Sequence, residues 1–377
     1  MTDLEPILSL WRELETAGAD YVLASVVGVE GSSYRKPGAR MLLAPDGRRA
    51  GTVSGGCLEA EVARRAWWLT ETGPTVQPYS TADDDGERPY GSGCGGVVHL
   101  LLERRATALP LLHRMEAAFK AREPLCIATV LEGPQAGARE FSFGAGCADA
   151  DDRPDPLGLR ALTQHALDLA TSTETHLPIE GVETRVRVDY CAPRPGVWIF
   201  SAGDDARPLV RMARELGWFV VVADGRSNLA TRERFPEADE VRVLPIAELP
   251  QAAPTHFSPR PTDAAVMMTH SFEQDSRVLA SLLALQHPPA YVGVLGPQRR
   301  TRELLAEAAL LLHLPATEER VDAWLAQLHA PTGLDLGAET PAAVALSILA
   351  EMQKVLVAAT GEPLRVVRAA PQAVAPR

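Results

Sequence analysis

Lysine is scarce in this chain, as are cysteines and aromatic residues. Lysine stands at three positions, Lys36, Lys120 and Lys354, so arginine carries nearly all the positive charge, against an acidic excess that leaves a formal net charge of −12. With no basic tract, nucleic acid and anionic membrane surfaces are excluded as partners on charge grounds. The five cysteines (57, 94, 126, 147 and 191) make an odd count without a CxxC pair, which excludes a disulfide framework and a zinc ribbon. The nine histidines include no HExxH spacing, so that class of metal site is absent. No apolar run approaches the roughly 20 residues that a spanning helix needs. The acidic start Met1-Thr2-Asp3-Leu4-Glu5 lacks the basic-then-apolar pattern of a secretion signal. The expectation is a soluble protein of the cytoplasm.

What the chain does have is apolar residues enough for more than one core: 377 residues at 46% hydrophobic content suit two domains. The periodicities place an α+β domain over residues 1–150, a connecting segment over 151–195, a Rossmann-like doubly wound parallel sheet over 196–360, and a flexible tail over 361–377. Helical spacing at Leu4, Ile7, Leu8, Trp11 and Leu14 ends at Gly18, a C-terminal stop. Strands at 21–29 and 39–44 follow, the second turning at Pro45-Asp46-Gly47. Further helices are expected at 109–121, 157–171, 208–216 and 341–359. Strands are expected at 97–102, 125–131, 182–190, 197–200, 218–223, 264–268 and 291–295. The clearest linker is Ala192-Pro193-Arg194-Pro195-Gly196.

Three stretches carry chemistry. In the first, Gly51-Thr52-Val53-Ser54-Gly55-Gly56-Cys57 runs into a helical pattern from Leu58. Glycines free the backbone to turn, and a helix start favours an anion, so Cys57 is placed to become a thiolate that binds soft metal or attacks sulfur. The alternative is a small buried residue after a tight turn. The loop before the preceding hairpin supplies Arg35, Lys36 and Arg40, expected at the same end of the sheet as Cys57. The second stretch, Ser201-Ala202-Gly203-Asp204-Asp205, follows a strand and opens a helix where a dinucleotide fingerprint belongs, with Asp224 about 20 residues further on, in the position of a ribose-binding acid. Its glycine pattern is incomplete, and two acids stand where a pyrophosphate would sit. In the third, His270 and a neighbouring carboxylate lie on one strand-end loop and Arg299, Arg300 and Arg302 on the next. All are expected to converge on the ligand crevice of an open sheet, where arginines opening a helix suit phosphate. A solvated helix face is the alternative.

Together the motifs resemble the XdhC/CoxI family, accessory factors for xanthine dehydrogenase and related molybdenum hydroxylases. The matching stretches are GSSYRKPGARM (31–41), GTVSGGCLEAEV (51–62), GSGCGG (91–96), SAGDDARPL (201–209) after its strand, LGWFVVVADGR (216–226), THSFEQD (269–275), GVLGPQRR (293–300) and HAPTGLDLGAETPAAVALSILAEM (329–352). The resemblance implies a homodimeric maturation factor rather than a catalyst. Such a factor binds the molybdenum cofactor, in its molybdopterin or a dinucleotide form, supports its sulfuration with a cysteine desulfurase, and delivers it to an apo molybdenum hydroxylase. Carried over by position, Cys57 is the cysteine of the family's GGC motif and the expected molybdenum contact, and Cys94 that of its CGG motif. Gly203 and Asp224 match a nucleotide-like segment. Arg35, Lys36 and Arg40 supply cationic donors for a phosphate, and Gly55 and Gly56 backbone N–H groups. Two other classes compete: an NAD(P)-dependent oxidoreductase using the Rossmann-like half, and a thiol carrier with Cys57 and Cys94 as a working pair.

Overall fold

The computed structural model describes residues 4–56, 58–80, 96–144 and 155–367. Cys57 and Cys94 lie outside the described residues, as do the first four residues of the expected connecting segment and the last ten of the expected tail. The chain divides into two compact units, Met1–Arg194 and Pro195–Arg377. Among the described residues no helix is long and apolar enough to cross a membrane.

The first unit opens with α1 (Leu4–Thr16), followed by β1 (Val22–Glu30), β2 (Arg40–Leu43), β3 (Arg49–Gly51), α2 (Glu59–Leu69), β4 (Thr75–Ser80), β5 (Val97–Arg104) and α3 (Arg105–Ala121). Then come β6 (Leu125–Val130), β7 (Arg139–Phe143), α4 (Arg160–Leu169), β8 (Thr173–Ile179) and β9 (Val182–Cys191). They form two antiparallel sheets, of order β3-β2-β1-β5-β4 and β7-β6-β9-β8. Alternation along the strands gives each sheet two apolar faces. One face of the first sheet (Leu23, Leu42) and one of the second (Leu125, Ile127, Phe141) share a core with Leu8 and Trp11 of α1 and Leu112 and Met115 of α3. The outer face of the first sheet is covered by Val62 and Ala66 of α2, and that of the second by Ala166 of α4. Residues 155–191, expected within a connecting segment, contribute α4, β8 and β9 to the second sheet instead, because β9 pairs with β6 from Leu125↔Cys191 to Val130↔Val186.

The second unit runs β10 (Gly196–Phe200), α5 (Ala206–Glu215), β11 (Phe219–Asp224), β12 (Glu240–Val243), a short α6 (Ala253–His256), β13 (Ala264–Met267), α7 (Phe272–Leu283), β14 (Tyr291–Val294), α8 (Gln298–Leu311), α9 (Glu318–Leu325), α10 (Pro341–Leu356) and α11 (Leu364–Val367). Its five strands are all parallel, in the order β12-β11-β10-β13-β14. Strands apolar at every position are buried on both faces, as parallel sheets with helices on either side require. Val197 and Ile199 pack with α5 and α10, and Trp198 and Phe200 with α7 and α8. Glu351 on α10 accepts hydrogen bonds from Tyr291 Oη (2.7 Å) and Gly333 N (2.7 Å) and meets His329 Nδ1 at 3.0 Å, fastening the 329–333 segment beside β14.

Candidate functional site

In the first unit the site is organised by a hairpin. Antiparallel pairing of β2 with β3, Met41↔Gly51 to Leu43↔Arg49, brings the segment entering β2 and the segment leaving β3 to the same end. The entering loop is tied back to β1 by Gly38 N donating to Val26 O and Val26 N to Ala39 O, both 2.8 Å. The Tyr34 ring covers the space where a side chain at Gly55 would sit. The cationic loop and the glycine turn therefore touch, as the spacing predicts.

The glycine turn has a clamp that its composition did not announce. Glu59, buried on α2, accepts from Val53 N (3.2 Å), Ser54 N (2.9 Å) and Ser54 Oγ (2.5 Å). Ser54 Oγ in turn accepts from Gly56 N and Leu58 N, both 3.2 Å. Gly56 has φ +111°, a left-handed conformation that favours glycine. Burial pushes the Glu59 carboxyl up, but the hydrogen bonds from Ser54 and the backbone outweigh it and hold the group below its ordinary value.

Arg35, Lys36 and Arg40 do come together: they line one cavity of about 510 Å³ inside the first unit. Arg40 is almost wholly buried; its Nη1 donates to Gly38 O (2.8 Å), its Nη2 lies 3.8 Å from Asp189, and its Nε is buried without a hydrogen-bond partner. The opposite wall is the end of β9, Asp189, Tyr190 and Cys191. Sequence reasoning missed this wall. Its residues sit next to the linker and carry no motif, and only the pairing of β9 with β6 delivers them.

In the second unit the chain winds outward from β10 in both directions, which puts a topological switch point between β10 and β13, where open α/β sheets bind ligands. The loops expected there are present, with different employment. Asp224 is fully buried. Its Oδ2 accepts from Ala202 N (2.7 Å), its Oδ1 from Arg226 N (2.9 Å), and the Arg226 guanidinium closes on both oxygens. Burial raises its pKa, but these bonds prevail and hold it low. Gly203 N donates to Ser201 Oγ (3.1 Å), so the residue in place of the first glycine also serves its own loop. Asp204 turns outward to Arg234 (2.9 Å), and Asp205 lies 3.9 Å from the exposed His270.

The three arginines do not converge. Arg302 pairs with Glu318 and Asp322 of α9 (2.5 and 2.6 Å), and Arg299 is 90% exposed beside Glu303 one helical turn on. Arg300 alone reaches inward, to buried Asp275 at 2.7 Å, which also accepts from Thr269 Oγ1 (2.6 Å). Consecutive positions on a helix diverge by about 100°, so neighbouring elements drew each guanidinium to a different acid. Burial pushes the Asp275 carboxyl up despite these partners. Gln274, another residue the motifs did not single out, accepts from Gly225 N (3.2 Å) and leaves its Nε2 buried without a partner.

Comparison with known proteins places this architecture. A model described as the XdhC and CoxI family matches residues 14–80, and one described as the XdhC Rossmann domain matches 197–352. A Bacillus subtilis (strain 168) protein, named as a probable xanthine dehydrogenase subunit, is 31% identical over 335 residues, 88% of this chain and 92% of the relative. The chain belongs to the XdhC and CoxI family. Another relative, the molybdenum cofactor insertion chaperone PaoD of Escherichia coli (strain K12), is 26% identical over 363 residues, 94% of this chain and 89% of its own. A crystal structure from Bacillus halodurans, described as a xanthine dehydrogenase, superposes with a TM-score of 0.68 at 28% identity, covering 100% of this chain and 98% of the other. The antiparallel first unit and the parallel five-stranded second unit are thus the XdhC/CoxI arrangement of an N-terminal α+β part and a Rossmann domain.

Proposed function

We propose that this XdhC/CoxI protein binds the molybdenum cofactor and passes it to an apo molybdenum hydroxylase of the xanthine dehydrogenase type during that enzyme's maturation. The observation that carries the reading is the cationic cavity of the first unit. Arg35, Lys36 and Arg40 line it, and the buried Nε of Arg40 has no hydrogen-bond partner in the protein. A buried donor without an acceptor costs free energy, and an incoming oxyanion would relieve that cost. The cofactor is a phosphorylated dithiolene on a metal that prefers soft donors. The residues present fit it: guanidinium and ammonium groups for the phosphate, and the thiol of Cys57, next in the chain after the glycine turn, for the metal end. Support for sulfuration by a cysteine desulfurase, a homodimeric assembly and a cytoplasmic location belong to the same reading.

The test is anaerobic co-expression with cofactor biosynthesis, followed by molybdenum and pterin assays per chain. Wild-type protein is expected to carry both. Arg40→Ala should retain the cofactor roughly tenfold more weakly, the order expected for losing a charged partner of a bound anion. Cys57→Ala should lose molybdenum and fail to activate an apo-hydroxylase. A Cys57→Ala chain that loads and activates as wild type does would remove the thiol from the reading.

A further inference from the structure

The cavity has a second wall that phosphate binding alone leaves idle. Asp189, Tyr190 and Cys191, the last residues of β9, line it opposite the 34–40 loop. Among the described residues lining the cavity, Asp189 is the one carboxylate, and its Oδ1 is already taken by Arg187 Nε at 2.8 Å. Its described lining thus carries Arg35, Lys36 and Arg40 beside one acid, and of these Arg40 is the buried cation whose Nε lacks a hydrogen-bond partner. A half-buried free thiol borders it, along with Tyr34. Cys191 is not simply core: it packs on the apolar cluster of α1 and α3 on one side and borders the cavity on the other. The other cysteine among the described residues is Cys126, yet the register pairs Cys126 with Tyr190 and Leu125 with Cys191, which sets the two thiols on opposite faces of the sheet.

Burial pushes the Cys191 thiol up, and the charge and hydrogen bond of Arg40 pull against that. A sulfur so placed is protonated at rest and becomes a ligand when a metal displaces its proton. Resting on the cofactor reading above, we propose that this cavity seats a phosphorylated organic anion bearing a soft metal–sulfur centre, with Cys191 as a sulfur contact for that centre. As the contact forms, the thiol proton passes to solvent. Arg40, with its guanidinium against the thiol and its Nε free of protein partners, joins the anionic and soft ends of the site.

Two measurements on the full-length chain test this. Alkylation of Cys191 by iodoacetamide, followed by peptide mass spectrometry, is expected to be roughly tenfold slower in cofactor-loaded than in cofactor-stripped wild-type protein, the scale of a contact worth about 1.4 kcal/mol. Cys191→Ala should hold molybdenum about ten- to a hundredfold more weakly, whereas Cys126→Ala, on the other face, should hold it as wild type does. Equal alkylation in loaded and stripped protein overturns the proposal, as does a wild-type molybdenum content in Cys191→Ala. Because alkylation is read on the wild-type chain, it decides the matter even should the variant fail to fold. A wild-type chain that carries no molybdenum at all would overturn the cofactor reading together with this inference. A loaded chain whose Cys191 remains open overturns this inference alone.

Discussion

Glu59 shows how much one buried carboxylate organises at the scale of the residue. It collects the N–H groups of Val53 and Ser54 and the Ser54 hydroxyl that supports the glycine turn. Glu59→Ala would leave those donors without an acceptor, at a cost of about 1–3 kcal/mol, visible as a lower denaturation midpoint. Glu59 shares a pH signature with Asp224 and Glu351. Glu59 and Asp224 are buried and Glu351 half-buried, and hydrogen bonds hold all three below their ordinary values of 4.5, 3.8 and 4.5. A carboxyl depressed in the folded state stabilises the fold above its unfolded pKa, and that contribution is lost as pH falls through the folded value. Asp275, raised by burial, works in the opposite sense, since the folded form binds its proton more readily. With the depressed carboxyls outnumbering the raised one, melting temperature is expected to be flat near neutrality and to fall steeply below about pH 4.5; thermal scans from pH 7 to pH 3 check it. In the sequence Glu59 reads as a solvated charge in a first helical turn. Nothing local marks a carboxylate that folds back onto the preceding loop.

Whole elements are held in register around the cavity by close backbone approach. Gly96, at the entry of β5, packs so tightly that a Cβ there would overlap the carbonyl oxygens of Glu30 and Ser32. Gly96→Ala must push β5 away from the start of the cationic loop, and overpacking of this kind costs about 1–3 kcal/mol. The expected result is a lower melting temperature together with weaker cofactor retention, because the 31–38 loop forms one wall. An unchanged pterin content in a destabilised Gly96→Ala chain would show that loop position does not matter. The elements legible in the sequence were those with strong periodicity: α1, β1, the β2–β3 hairpin, β10, β11 and α10. The helix expected from 109 begins at Arg105 and accommodates Pro110. Edge strand β8 escaped notice because it carries Pro178 and leaves most of its residues exposed or half-buried, so it lacks the apolar alternation that reveals a covered strand.

Across the molecule, two readings of the Rossmann half make different predictions. A dinucleotide site needs a free acid for the ribose and uncharged backbone against the pyrophosphate. Here Asp224 is sealed within its own loops and Asp205 stands at the crevice beside His270. Titrating the protein into NADH or NADPH is therefore expected to leave cofactor fluorescence unchanged, and Asp224→Asn to lower stability without altering that result. Saturable quenching by wild-type protein would restore the oxidoreductase reading. Several features were determined by the sequence alone: the α/β class, the parallel second half, and the meeting of the 31–40 loop with the glycine turn. Each follows from short-range signals, apolar period, turn residues and a hairpin that returns the chain to its starting end. Only the tertiary structure decided that Asp224 turns inward, that Arg299, Arg300 and Arg302 part company, and that Cys191 borders the same cavity as Arg40. Those outcomes depend on which acid, strand or helix lies nearest in space, and pairing between distant segments such as β6 and β9 leaves no trace in the spacing of neighbouring residues.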